Sequence, residues 1–215
     1  MHTPTGGKWS FGLRPSYLAA PTEPARGTPD ESLRQLVRRY LEGFGPASAA
    51  DFAQFTLHTR SAARTALQAL AGTETLTTLE GPDGAELFDV PGAPLPPEDT
   101  SSPPRLLAMW DSTLLAYADR TRVVPAEYRP LVTRRNGDVL PTLLVDGYVS
   151  GVWRPVDGGI EALAFHSLPD EAWDGLAAEA RGLVALLADR DPTAYSRYGH
   201  WWSTLPSAEI RVLPG

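Results

Sequence analysis

Arginine is the residue type that most clearly offers chemistry in this chain. Of the 19 basic residues only Lys8 is lysine. Arg60 and Arg64 stand one helical turn apart, so both guanidinium groups can reach phosphates or a guanine edge from one helix face. A second group, Arg120, Arg122, Arg129, Arg134 and Arg135, is concentrated in "ADRTRVVPAEYRPLVTRRNGD", with Tyr117 and Tyr128 close by. Residues 105–154 carry seven arginines against five acids. This local basicity suits nucleic acid. The same arginines also suit a solvated sheet edge whose charge discourages strand-to-strand association. The residues alone leave both readings open.

Charge limits the first reading. The chain has a net charge of −7, whereas non-specific DNA affinity comes mostly from neutralised phosphates. Any DNA-facing surface must therefore be local. Residues 28–90, which contain Arg60 and Arg64, hold five arginines against nine acids, among them Glu74, Glu80, Asp83 and Glu86. Acidic side chains do not track a phosphate backbone, so a structural role or contact with a protein is at least an equal alternative for this segment.

Other chemistries find little support. The chain has no cysteine, which removes disulfides, thiolate metal sites and a Cys nucleophile. His2, His58, His166 and His200 are far apart and show no metal-ligand spacing. Neither a metal nor a cofactor is implied. "GGKWSFG" lacks the strand-loop-helix context of a phosphate loop, and there is no Gly-x-Ser-x-Gly elbow. Asp111, Asp119 and Asp138 read as turn or salt-bridge residues rather than a glycosidase pair. No apolar run is long enough to span a membrane and the N-terminus lacks a signal-peptide core, so a cytoplasmic protein is expected. Arginine in place of lysine hints at a GC-rich bacterial genome.

The elements that would position these residues follow from periodicity and punctuation. In "TPDESLRQLVRRYLEGFGP", Leu33, Leu36, Val37, Tyr40, Leu41 and Phe44 make one helical face. Thr28 is the N-cap, Pro29 the first helical residue, Glu31 the third, and Gly45-Pro46 the stop. A short helix capped by Ser48 follows, with Asp51 three residues on. A third is capped by Thr59 and buries Ala63, Ala66, Leu67 and Leu70, ending at Gly72. "ETLTTLE" and "AELFDV" are strands joined at 81–84. Three helices and a hairpin make a winged helix, a helix-turn-helix variant, over 28–90.

Before it, residues 1–27 read as an arm, a remnant of a preceding module. After it, the Pro-rich 91–104 is a stiff linker. Residues 105–191 read as a small antiparallel β-barrel or curled sheet with a packed C-terminal helix, and 192–215 as an aromatic tail. Strands fall near 139–145, 148–154 and 160–166, with type I′ chemistry at Asn136-Gly137 and Asp146-Gly147 and a third turn at Asp157-Gly158-Gly159. The fold class is α+β.

Three stretches, "RRYLEGFGPASAADFAQF", "MWDSTLLAYADRTRVV" and "NGDVLPTLLVDGYVSGVWR", resemble the winged-helix family that includes the AlkZ and YcaQ DNA glycosylases. The resemblance spans about residues 28–187. It implies tandem winged helices followed by a β-barrel, and hydrolysis of the N-glycosidic bond of alkylated or crosslinked purines. It also implies a catalytic Gln-x-Gln or Gln-x-Asp motif that positions water. Gln35, Gln54 and Gln68 stand in no such motif, so no catalytic residue carries over. The expectation is a DNA-binding protein corresponding to the family's non-catalytic C-terminal half. Its candidate DNA contacts are Arg60, Arg64, Arg120, Arg122, Arg134 and Arg135. The alternatives are a glycosylase completed by a partner module, such as another winged helix, and a protein-interaction module.

Overall fold

The computed structural model describes residues 2–3, 16–17, 27–73, 75–188, 193–196 and 198–214. The chain divides into two compact units. One comprises residues 24–100 with 112–120, and the other 1–23, 101–111 and 121–215. Two short strands, β1 (His2–Thr3) and β2 (Ser16–Tyr17), pair antiparallel near the N-terminus. Apart from β1 and β2, residues 1–26 of the stretch read as an arm lie outside the described residues, as does Glu74.

The first unit is helical and starts with α1 (Pro29–Phe44), α2 (Ala49–Thr56) and α3 (Arg60–Ala71). Each begins where its capping residue dictates. Thr28 and Glu31 close a capping box on α1, Ser48 and Asp51 close one on α2, and Thr59 accepts from the Ala62 N–H of α3. The Thr28 backbone N–H and, second, its hydroxyl hold the Glu31 carboxyl below its usual pKa. Val37, Tyr40, Leu41, Phe52, Ala63 and Leu67 form the buried centre. Leu36 departs from expectation and is 40% exposed, since the buried stripe of α1 is narrower than its apolar periodicity.

A hairpin of β3 (Thr77–Glu80) and β4 (Glu86–Asp89) follows α3. Ala47, in the α1–α2 connector, exchanges both backbone hydrogen bonds with Phe88, adding one more rung to this ladder. The connector approaches so closely that a Cβ on Gly45 would overlap the Asp89 carboxylate.

Residues 112–120, including α4 (Ser112–Leu115), complete this unit. The Asp51 carboxylate is 5% exposed and fully engaged. One oxygen accepts from the Ser48 N–H and hydroxyl at 2.8 and 2.7 Å, and the other from the Ala118 N–H at 2.7 Å. Tyr40 donates to the Ala116 carbonyl at 2.7 Å and Tyr117 to the Phe44 carbonyl at 3.1 Å. The first two stretches of the family resemblance are therefore joined by one buried and two part-buried hydrogen bonds.

The second unit is built on an open five-stranded antiparallel sheet in sequence order. Its strands are β5 (Arg105–Leu107), β6 (Thr142–Val145), β7 (Tyr148–Val156), β8 (Gly159–Ala164) and β9 (Glu209–Pro214). The sheet does not close into a barrel: β5 and β9 are its two edges. The long α6 (Asp170–Leu187) packs Trp173, Leu176 and Ala180 into a core with Leu143, Trp153, Ile160 and Leu213. A helix thus buries the apolar face that closure would otherwise have to enclose. A one-turn helix, α5 (Arg129–Val132), precedes the meander.

The turns refine the expected chemistry. Asp146 (φ 51°) and Gly147 (φ 78°) are both left-handed, as a type I′ turn requires. Asn136 is not. Only Gly137 (φ 87°) is left-handed there, and the Gly137 N–H donates to the Arg134 carbonyl while the Arg134 N–H donates to the Asp138 carbonyl. The reversal is therefore centred on Arg135-Asn136, with Gly137 as the bulge residue. Asn136 instead accepts from the Asp138 N–H, an Asx contact that competes with the left-handed conformation.

Asp51→Ala removes the acidic half of the α2 capping box and leaves the part-buried N–H groups of Ser48 and Ala118 without their acceptor. We expect a loss of about 2–4 kcal/mol from these two effects. Urea unfolding followed at 222 nm measures it, and a loss below about 0.5 kcal/mol would show that the seam is not carried by this carboxylate.

Candidate nucleic-acid interface

In the helical unit, the turn from Leu57 to Thr59 joins α2 to α3. Leu57 is left-handed (φ 60°) and 92% exposed. The buried Ala63, Ala66 and Leu67 fix which side of α3 faces outward. Arg60, Ser61, Arg64, Thr65 and Gln68 are exposed. Among the described residues neither Arg60 nor Arg64 makes an ion pair, whereas Arg38 and Arg39 of α1 both pair with Glu42. The exposed face of α3 thus offers two guanidinium groups, two hydroxyls and an amide.

The hairpin beside it has the opposite character. Glu80 and Glu86 are exposed and directly opposite each other in the β3–β4 register. Like charges in that relation repel, and they repel phosphates too. Arg120 belongs to this unit and is half-buried.

Arg122, Arg134 and Arg135 belong to the sheet unit and are exposed. Sequence neighbours here have different surroundings. The Arg134 guanidinium lies over the Trp201 ring, 4.2 Å from its centroid. Among the described residues no such contact holds Arg135. The turn itself is braced by aromatics: Trp110 donates its indole N–H to the Gly137 carbonyl at 3.2 Å, and Tyr198 donates its hydroxyl to Asp138 at 3.3 Å. Trp110 and Tyr198 meet edge-on. The six candidate arginines are thus divided three and three between the units.

The residues set aside from the sequence have structural surroundings. His58 is within hydrogen-bonding distance of Thr56 and stacks on Phe52, and His166 pairs and stacks with Tyr128. Asp138 is a turn residue that accepts from Asn136 as well as Tyr198. Among the described residues, no group of three His, Asp or Glu side chains is arranged to hold a metal ion, and no helix is long and apolar enough to cross a membrane.

Sequence reasoning missed the aromatic bracing of the 134–138 turn and the strand β9. For β9 a signal was present: "EIRVL" alternates in polarity and carries two β-branched residues, Ile210 and Val212. For the bracing there was only the density of Tyr and Trp between Tyr195 and Trp202.

Helices and antiparallel sheets in this order define a mixed α/β chain with one basic helix face and one aromatic-braced turn. The chain belongs to the AlkZ-like DNA glycosylase family, whose model, "DNA glycosylase AlkZ-like", matches residues 1–186. No curated protein matches it. Among solved structures it is similar in fold to the Streptomyces sahachiroi DNA glycosylase AlkZ, with a TM-score of 0.61 and 24% sequence identity. The similarity covers 74% of this chain and 43% of that one, so this chain spans less than half the length of that structure.

Because Trp201 holds Arg134 and no ring or ion-pair contact among the described residues holds Arg135, the two should respond differently to truncation. We expect Arg134→Ala to cost about 0.5–1 kcal/mol, the usual worth of an exposed cation–π contact, and Arg135→Ala to be neutral. Thermal denaturation of the two variants side by side is the check. Equal effects would dissociate Arg134 from the aromatic brace.

Proposed function

We infer that the chain is a DNA-binding protein of this family in which 28–90 acts as a winged helix and α3 as its groove-facing helix. The observation that carries the reading is the outward face of α3. Two arginines one turn apart, without an ion pair among the described residues and flanked by Ser61, Thr65 and Gln68, stand on α3, which in this reading is the second helix of a helix-turn-helix. Family membership supports DNA as the partner. Arg120, Arg122 and Arg135 supply further phosphate contacts. Arg134 takes part only at the expense of its stacking on Trp201.

The chain does not release bases on its own in this reading, because Gln35, Gln54 and Gln68 stand in no Gln-x-Gln or Gln-x-Asp motif. A second reading has a specific observation behind it. The Glu80–Glu86 pair makes the hairpin acidic, which favours a basic protein surface there over DNA backbone. The two are compatible if α3 meets DNA and the hairpin meets a protein module.

Mobility-shift titration of duplex DNA at low salt tests the first reading. We expect weak binding, with Kd on the order of micromolar or poorer. Arg60→Ala/Arg64→Ala should weaken it for all sequences alike, and the salt slope should fall by about one unit per lost phosphate contact. Wild-type affinity in that double variant would exclude α3 as the DNA-facing helix. The same protein incubated with alkylated duplex should release no base above a no-protein control.

A further inference from the structure

Among the described residues β9 pairs only with β8, in a register that runs without a shift from Ala164↔Glu209 to Gly159↔Pro214. Its outer edge therefore offers a row of backbone N–H and C=O groups to another strand. Such edges are usually blunted by a bulge, by a proline within the strand or by an outward charge. β9 has none of these. Its proline comes last, at Pro214, and its two charges are turned toward α6.

The face turned away from α6 is apolar along this edge. Glu209 accepts from the Trp173 indole at 3.1 Å, the Arg211 guanidinium lies 4.6 Å from the centroid of the same ring, and Leu213 is buried in the core. Ile210 and Val212 alternate with these residues and are 53% and 63% exposed. Both are β-branched, the type that favours a paired strand. The opposite edge of the sheet is different: β5 has three residues, and Arg105 at its start is paired with Glu179 of α6. The match to the AlkZ-like family ends at residue 186, so β9 lies beyond what that family model describes.

The charge pattern selects the occupant. Glu209 and Arg211 lie on one face with Ile210 between them. Antiparallel pairing with the β9 strand of another copy, centred on Ile210, sets each Glu209 opposite Arg211 of the partner subunit. Centring one position further on, at Arg211, would set two guanidinium groups against each other. One register is self-complementary and the next is repelled. The strand is thus matched in charge to a second copy of itself.

We propose that β9 is a dimerisation strand, through which two copies of this chain pair antiparallel about a two-fold axis at Ile210 and join their five-stranded sheets into one. Such an isologous contact uses the same edge on both partners, so assembly stops at the dimer. A contact made by one short strand is at the weak end of specific interfaces, and each chain carries a net charge of −7, so the dimer dissociates on dilution.

Sedimentation equilibrium of the full chain over a rising concentration series is the test, with hydrogen exchange of residues 209–214 followed on the same samples. The average mass should climb from 23.2 kDa toward twice that value and stop there, while exchange in β9 slows. Ile210 is exposed, so a charge there should leave the monomer folded, which circular dichroism checks. Ile210→Lys and Ile210→Glu should each weaken the dimer about tenfold or more, because like charges then meet at the axis. An equimolar mixture of the two variants should dimerise again. Leu186→Lys, at a comparably exposed leucine of α6, should assemble like the wild type. A monomer at every concentration, wild-type assembly in Ile210→Lys, or a mixture that stays monomeric overturns the proposal. Growth beyond the dimer also overturns it, since that is the sign of β9 joining β5 of the next copy in an open chain.

Discussion

A single carboxylate, that of Asp51, decides how the helical unit is put together. A buried carboxylate is costly unless its lone pairs are filled, and this one accepts from Ser48 twice and from Ala118 once. The Ser48 bonds fix where α2 starts. That start sets the turn at Leu57 to Thr59, and the turn sets which residues of α3 face outward. The Ala118 bond ties the same carboxylate to a segment 67 residues further along the chain. Tyr40 and Tyr117 extend the seam in opposite senses, one donating into the segment and the other out of it. The arginine face of α3 is thus positioned by hydrogen bonds of Asp51, Tyr40 and Tyr117 rather than by its own side chains.

The sheet unit relies on indole groups in a similar way. Trp110, Trp153 and Trp173 each donate to a defined acceptor: the Gly137 carbonyl, the Leu107 carbonyl and the Glu209 carboxylate. Trp201, Trp202 and Trp173 also carry Arg134, Arg154 and Arg211 on their faces. Much of the basic character of this unit is therefore invested in holding the C-terminal residues against the sheet. A count of arginines overstates the charge available to a phosphate backbone, because a guanidinium stacked on a ring must give up that contact to move.

Local chemistry was the most legible part of the sequence. Thr28, Ser48 and Thr59 announced the three helix starts because a capping side chain acts within four residues of itself. Asp146-Gly147 announced its turn for the same reason. Asn136-Gly137 gave the right place and the wrong geometry, since the Asx contact of Asn136 with Asp138 competes with the left-handed conformation that a type I′ turn needs there. Long-range partners were not legible. Asp51 reads as half of a capping box, and nothing in its neighbourhood reveals that its other oxygen belongs to Ala118. Arg134 and Arg135 look equivalent until Trp201 is placed beside only one of them.

The helical unit is not a continuous piece of chain. Residues 24–100 are joined by 112–120, while the intervening 101–111 contributes β5 to the other unit. No single break in the polypeptide frees the three helices and their hairpin intact. A cut in the Pro-rich 91–104 stretch would strand Asp51 and Tyr40 without Ala118 and Ala116. In evolutionary terms, recombination at that linker cannot pass this unit from gene to gene as a cassette. Its inheritance is bound to that of the sheet, because residues 112–120 reach it only through the strand β5.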